Sequence, residues 1–288
     1  MTSKILQSAE LIFERIKTVW ESKTSNKIVS FSLVSIFVIS VIVSYLDRNN
    51  LISLGKLDEY FSNPFFAIDI SFTILLILEL LSLIFVLPRS VANSVGKQFE
   101  LLSLIFIRFG FKEFSHVQNF EWNSIMSDSL INMFFYAFGA LLIFIILGFN
   151  TKLQLHTRLT SKEDDQKKFI QTKKLLSLVL LAAFIVVGFY DIKILLQTGN
   201  YLHSFPSFYT ILIFSDIIII LVALRYTLNY YRIFRYSAFV LATIFIRISL
   251  SLGPFYDVII GVLTAIFVLV LTISYNYFLK DLPKNKIE

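Results

Sequence analysis

Met126-Ser-Asp-Ser-Leu-Ile-Asn-Met-Phe-Phe-Tyr-Ala-Phe-Gly-Ala-Leu-Leu-Ile-Phe-Ile-Ile-Leu-Gly-Phe149 carries one charged side chain, Asp128, in 24 residues. A helix needs about 20 mostly apolar residues to cross the hydrocarbon of a bilayer. This stretch meets that length with no basic residue in it. Reading outward on the same criterion gives seven more candidates: Ile28–Leu46, Pro64–Leu87, Val95–Phe111, Leu175–Ile192, Pro206–Arg225, Tyr236–Leu252 and Pro254–Leu279. Val95–Phe111 and Tyr236–Leu252 are the shortest, and each holds an arginine, Arg108 and Arg247. All five prolines fall at or beyond span ends, where a missing N–H does least harm.

Composition agrees. The chain is 288 residues long, 56% hydrophobic and only 16% charged, where soluble domains hold about 25% charged residues. Its mean hydropathy is +0.75. It contains no cysteine, which excludes disulfides, thiolate metal sites and cysteine nucleophiles. The fold class expected is an all-α integral membrane protein with about eight transmembrane helices.

The basic residues set the orientation. Residues 1–27 hold five, the 150–174 loop seven, the 225–235 turn three, the 88–97 turn two and the C-terminal tail three, so 20 of 26 fall on one side. Arg48, Lys56, Arg108, Lys112, Lys193 and Arg247 fall on the other. Cytoplasmic loops are the basic ones. The chain is therefore expected in the cell's inner, cytoplasmic membrane with both termini inside. The same asymmetry accounts for the net charge of +6 without a nucleic-acid partner.

Before the first span, Ile5, Ala9, Ile12, Ile16 and Val19 recur at steps of three and four, an amphipathic helix expected on the cytoplasmic leaflet. No small-residue cleavage site follows the first apolar run, so a cleavable signal is not expected. The organisation read from the chain is a cytoplasmic helix (1–27), a four-helix membrane unit (28–149), a charged linker (150–174), a second four-helix unit (175–279) and a tail (280–288).

The two membrane units read as repeats. Val43-Ser-Tyr-Leu-Asp47 is answered by Val187-Gly-Phe-Tyr-Asp191. Thr73 precedes Glu79 by six residues, and Thr210 precedes Asp216 by six. Ile105-Phe-Ile-Arg108 is answered by Ile244-Phe-Ile-Arg247, and Asp128 by Asp257. An even number of spans per unit makes such repeats parallel.

Ionisable groups within spans are costly and are usually paired or functional. Depth counted at about 1.5 Å per residue gives an outer layer of Asp47, Asp69, Arg108 and Asp128, and an inner layer of Glu79 and Glu100 near Lys97. The second unit offers Asp191, Asp216, Arg247 and Asp257. The expected outer arrangement is an ion-pair clamp, Arg108 with Asp69, Asp47 or Asp128, and Arg247 with Asp216, Asp191 or Asp257. Glu79 and Glu100, with Asp216, are the candidates for holding a proton or cation, because two close carboxylates in apolar surroundings share a charge. A structural pairing of Glu100 with Lys97 is the alternative.

Asn63-Pro-Phe-Phe-Ala-Ile-Asp69, Leu78-Glu79-Leu-Leu, Pro88-Arg-Ser and Phe99-Glu100-Leu-Leu resemble the second and third helices of the voltage-sensor-like four-helix domain of the ion-transport superfamily. The resemblance covers about 45 residues. It implies that Asp69, Glu79 and Glu100 would line a path for charge. The fourth helix of such sensors bears a basic residue at every third position; Met126–Phe149 and Val258–Leu279 bear none, so no gating charge is expected.

Phosphate-binding, dinucleotide-binding, zinc-protease and nucleophile-elbow motifs are all missing, and His116, His156 and His203 are isolated. An enzyme, a cofactor and a metal site are not expected. Two functions stay open: conduction or coupling of protons or cations through the buried acids of the first unit, or a non-transporting membrane scaffold, sensor or subunit of a membrane complex. The partners expected are the lipid bilayer and either a second copy of the chain or another membrane protein.

Overall fold

The computed structural model describes residues 2–49, 51, 66–88, 91–113, 124–153, 163–198, 204–226 and 229–280. The described residues form nine helices and no strand: α1 (Thr2–Trp20), α2 (Lys23–Arg48), α3 (Phe66–Val86), α4 (Val91–Lys112), α5 (Ser124–Leu153), α6 (Glu163–Thr198), α7 (Phe205–Leu224), α8 (Tyr230–Ser249) and α9 (Tyr256–Lys280). Each candidate span corresponds to one helix. Six of the nine (α2, α3, α5, α6, α7 and α9) are long and apolar enough to cross a membrane. This is an all-α, multi-pass membrane protein.

The other two long helices, α4 and α8, are the third and seventh candidates. They fall short on composition, since α4 carries Lys97, Glu100, Arg108 and Lys112, and α8 carries Arg232, Arg235 and Arg247. They are also the helices the bundle encloses best. In α4, Val95, Phe99, Leu102, Ile105 and Phe106 are buried, and in α8, Phe239, Val240, Ala242, Ile246 and Arg247. For Arg108 and Arg247 the two properties have one cause: a charge that lipid would reject is tolerated where a neighbouring helix satisfies it.

Packing follows chain order within each set of four. α2 packs on α3, α3 on α4 and α4 on α5; α6 packs on α7, α7 on α8 and α8 on α9. The two sets meet where α4 packs on α8 and α5 on α9. α5 and α9 run in the same direction, because Asn150 Oδ1 accepts from Thr272 at 2.8 Å and the Leu153 carbonyl accepts from Asn276 at 2.5 Å. They also approach closely, and a Cβ at Gly139 would collide with the Val258 side chain. Glycine at such a contact lets two backbones come together where no water is present to drive association. The turn into α9 holds Phe255 at φ 75°, its ring 4.5 Å edge-on to Phe135.

The faces turned away from these contacts are apolar and uncovered: Phe31, Val34 and Ile39 on α2, and Phe134, Phe138 and Phe144 on α5. A soluble protein would bury such rings; a bilayer solvates them.

Two expectations about the periphery change. The charged linker is helical from Glu163, so α6 runs 36 residues and only 154–162 of that loop lie outside the described residues. The N-terminal segment is a helix as its period predicts, but it docks on α6 and the end of α3. Ala9 and Phe13 are buried, and Phe13 and Trp20 lie 5.9 and 5.5 Å from the Phe85 ring. Ile5, Ile12 and Val19 of the predicted apolar face remain exposed. His116, His156 and His203, and the tail from 281, lie outside the described residues.

Candidate functional site

The charges inside the bundle form two cross-helix ion pairs at matching places. In the first set of helices Glu79 of α3 pairs with Arg108 of α4; in the second, Asp216 of α7 pairs with Arg247 of α8. The second pair is the more enclosed, with side-chain exposure of 1% for Arg247 and 4% for Asp216, against 20% for Arg108 and 11% for Glu79. Thr243, one turn before Arg247, donates to Asp216 Oδ2 at 2.6 Å.

The choice of partners has a geometric reason. Helical side chains lean toward the N-terminus of their own helix. α3 and α4 are antiparallel, so Glu79 leans toward the end where α4 finishes, while Arg108 leans deeper into the bundle. The two side chains therefore converge although their Cα atoms differ in depth. Asp69, nearer the start of α3, leans away from Arg108 and meets Lys112, the last residue of α4, at 2.7 Å. The same convergence operates between Asp216 and Arg247.

The structure thus distributes the expected site residues differently from a depth count. Glu79 does not face Glu100. Glu100 lies on an exposed face of α4, where Lys97 holds it at 2.5 Å with side-chain exposures of 41% and 48%. Arg108 is engaged by Glu79, and not by Asp69, Asp47 or Asp128. Asp47 is half-buried and Asp128 exposed, and neither forms a salt bridge among the described residues. Asp191 is buried and accepts from Ser204 at 2.6 Å, closing the α6–α7 connection. Asp257 is buried at the start of α9, where it accepts from the Val258 N–H at 2.7 Å.

A further polar cluster joins α1 to α6. Lys174 reaches Glu10 at 2.5 Å and Glu14 at 2.8 Å, and Gln171 donates to Glu10 at 2.9 Å. Lys174 and then Gln171, as donors, hold the Glu10 carboxyl below the ordinary glutamate range. Next to it Lys173 is buried with its ammonium 5.4 Å from the Phe169 ring centre. Both lysines entered the orientation count simply as charge. Phe169, Lys173, Ser177 and Leu180 fall at helical spacing and are all buried; that run is the signal that the inward face of α6 begins before the apolar stretch.

No group of His, Asp or Glu side chains able to hold a metal comes together among the described residues. Comparison with protein-family models, with curated proteins and with solved structures finds no match to this chain.

Proposed function

We propose that this protein is a non-transporting scaffold, sensor or subunit of a membrane complex, with eight crossings arranged as two parallel four-helix repeats and both termini in the cytoplasm. The observation that carries this reading is the Glu79–Arg108 ion pair. A carboxylate that takes up and releases protons or cations needs a second acid or an open coordination shell, and Glu79 is instead neutralised by a guanidinium. Glu100, the other acid of the proposed path, sits on the bundle surface with Lys97. The matching pair Asp216–Arg247 supports the repeats and supports a holding role for both. The resemblance to voltage-sensor-like domains enters this reading as architecture: second-helix acids facing cations, with the cations fixed on the third helix. The docked α1, with Ile5, Ile12 and Val19 left outward, is the cytoplasmic face available to a partner.

The test is flux through proteoliposomes. Proton, sodium and potassium fluxes equal to those of empty liposomes are expected, with Glu79→Gln lowering thermal stability in detergent and leaving flux unchanged. A flux that Glu79→Gln abolishes while stability stays at the wild-type level would transfer the reading to ion coupling through repeat one.

A further inference from the structure

Between the two sets of helices, at the end of the bundle opposite α1, lies a cavity of about 310 Å³. Its walls come from α3, α4, α7 and Leu250, the residue that follows α8. Leu76, Ile105 and Leu250 make it apolar, Thr73 and Tyr209 add hydroxyls, and its charged wall is Arg108 and Lys112. These two cations are four residues apart on one helix, hence on one face. Their carboxylate partners, Glu79 and Asp69, are not among the residues that line the cavity. The cavity therefore presents a cationic wall toward the end where α4 finishes, with Leu250 near that end and Ile105 and Leu76 deeper in. Arg108 makes its ion pair through Nη1 and Lys112 through one contact to Asp69. A guanidinium has five N–H donors and an ammonium three, so each keeps donors for a second anion.

We propose that this cavity binds an anionic phospholipid of the leaflet on that side, its phosphate held by Lys112 and Arg108 and part of one acyl chain lying against Leu76, Ile105 and Leu250. The size supports a single chain: ligand cavities begin at about 300 Å³. A phosphate suits the pair, since arginine offers a planar fork and lysine a mobile point charge. The proposal does not rest on the scaffold reading, because lipid retention and ion flux are read independently.

The experiment is native mass spectrometry of the detergent-purified full chain released from nanodiscs of equal phosphatidylglycerol and phosphatidylcholine. Preferential retention of one phosphatidylglycerol, about tenfold over phosphatidylcholine, is expected. Asp69→Asn, which frees Lys112 from its carboxylate, should raise that preference. Lys112→Gln with Asp69→Asn should remove it without leaving a stranded charge. Leu76→Trp, or Leu250→Trp if the first fails to fold, should obstruct the apolar part of the cavity and remove the retained lipid at unchanged charge. Equal retention of the two lipids, or a cavity-filled variant that keeps its phosphatidylglycerol, overturns the proposal. So does competition by millimolar glycerol 3-phosphate, which would assign the site to a soluble phosphate.

Discussion

Arg247 shows what a single residue does in this bundle. With its side chain at 1% exposure it is among the largest fully buried side chains in the chain, and its charge is answered by Asp216. Removing one member of such a pair strands the other in a medium that cannot solvate it. Arg247→Leu is expected to cost about 3–5 kcal/mol, read as a fall in the thermal unfolding midpoint in detergent. Adding Asp216→Leu should recover most of that loss, because apolar replacements of similar volume remove the desolvation cost of both charges. A double variant no more stable than Arg247→Leu alone would mean that Asp216 is not the residue Arg247 answers. The identities of these residues were legible in the sequence, since ionisable groups in apolar runs announce themselves. Their partners in the first half were not. Depth counted along helix axes treats a side chain as a point at its Cα, and the lean of Arg108 and Glu79 toward their own N-termini covers the remaining distance.

At the scale of elements, the contact between α5 and α9 depends on Gly139. Any β-carbon there meets the Val258 side chain, a β-branched group stiff at χ1. Gly139→Val should push the two helices apart and break the Asn150–Thr272 hydrogen bond farther along the seam. A cysteine pair at 150 and 272, in a chain with no thiols of its own, should cross-link in the parent and lose most of its yield in the Gly139→Val background. The docking of α1 has a pH signature. The Glu10 carboxyl is held below its ordinary value of 4.5. A lowered folded-state value means the contribution is full above the unfolded value and is lost as pH falls through the folded one. Protection of the α1 amides, measured against the intrinsic exchange rate at each pH, should therefore be high at pH 6 and should fall as pH drops below the ordinary glutamate value; Glu10→Gln should lower it at both. Helix existence was readable for all eight candidate spans, because apolar runs of that length have few alternatives. The start of α6 was not, since a stretch of mixed charge reads as linker whether it is solvated or, as here, gripped by another helix.

Over the whole molecule, the basic residues ask to be on one side. A reporter fused after Glu288 is expected in the cytoplasm, and one inserted between 114 and 123 outside; an external C-terminus would require α4 or α8 to stop short of crossing. The structure gives that distribution a second meaning. Of the six basic residues in the sparser group, Arg108 and Arg247 are engaged by acids within the bundle and Lys112 is tied to Asp69, so that end of the molecule is less basic than the count suggests. Composition reports how many charges lie between two apolar runs. It does not report which of them the fold turns inward.

α6 has one more property that follows from its length. Its 36 residues make a rod of about 54 Å, against a hydrocarbon layer of about 30 Å. Residues 163–174, ahead of the apolar run, extend about 18 Å, and α1 is fastened to that extension through Lys174 and Gln171. The extension therefore stands outside the hydrocarbon layer while the apolar run stays within it. Apolar helices answer a change in bilayer thickness by tilting, and a tilt of about ten degrees would sweep the far end of the extension through about 3 Å. A change in the thickness of the surrounding lipid would in this way be felt as a displacement of α1.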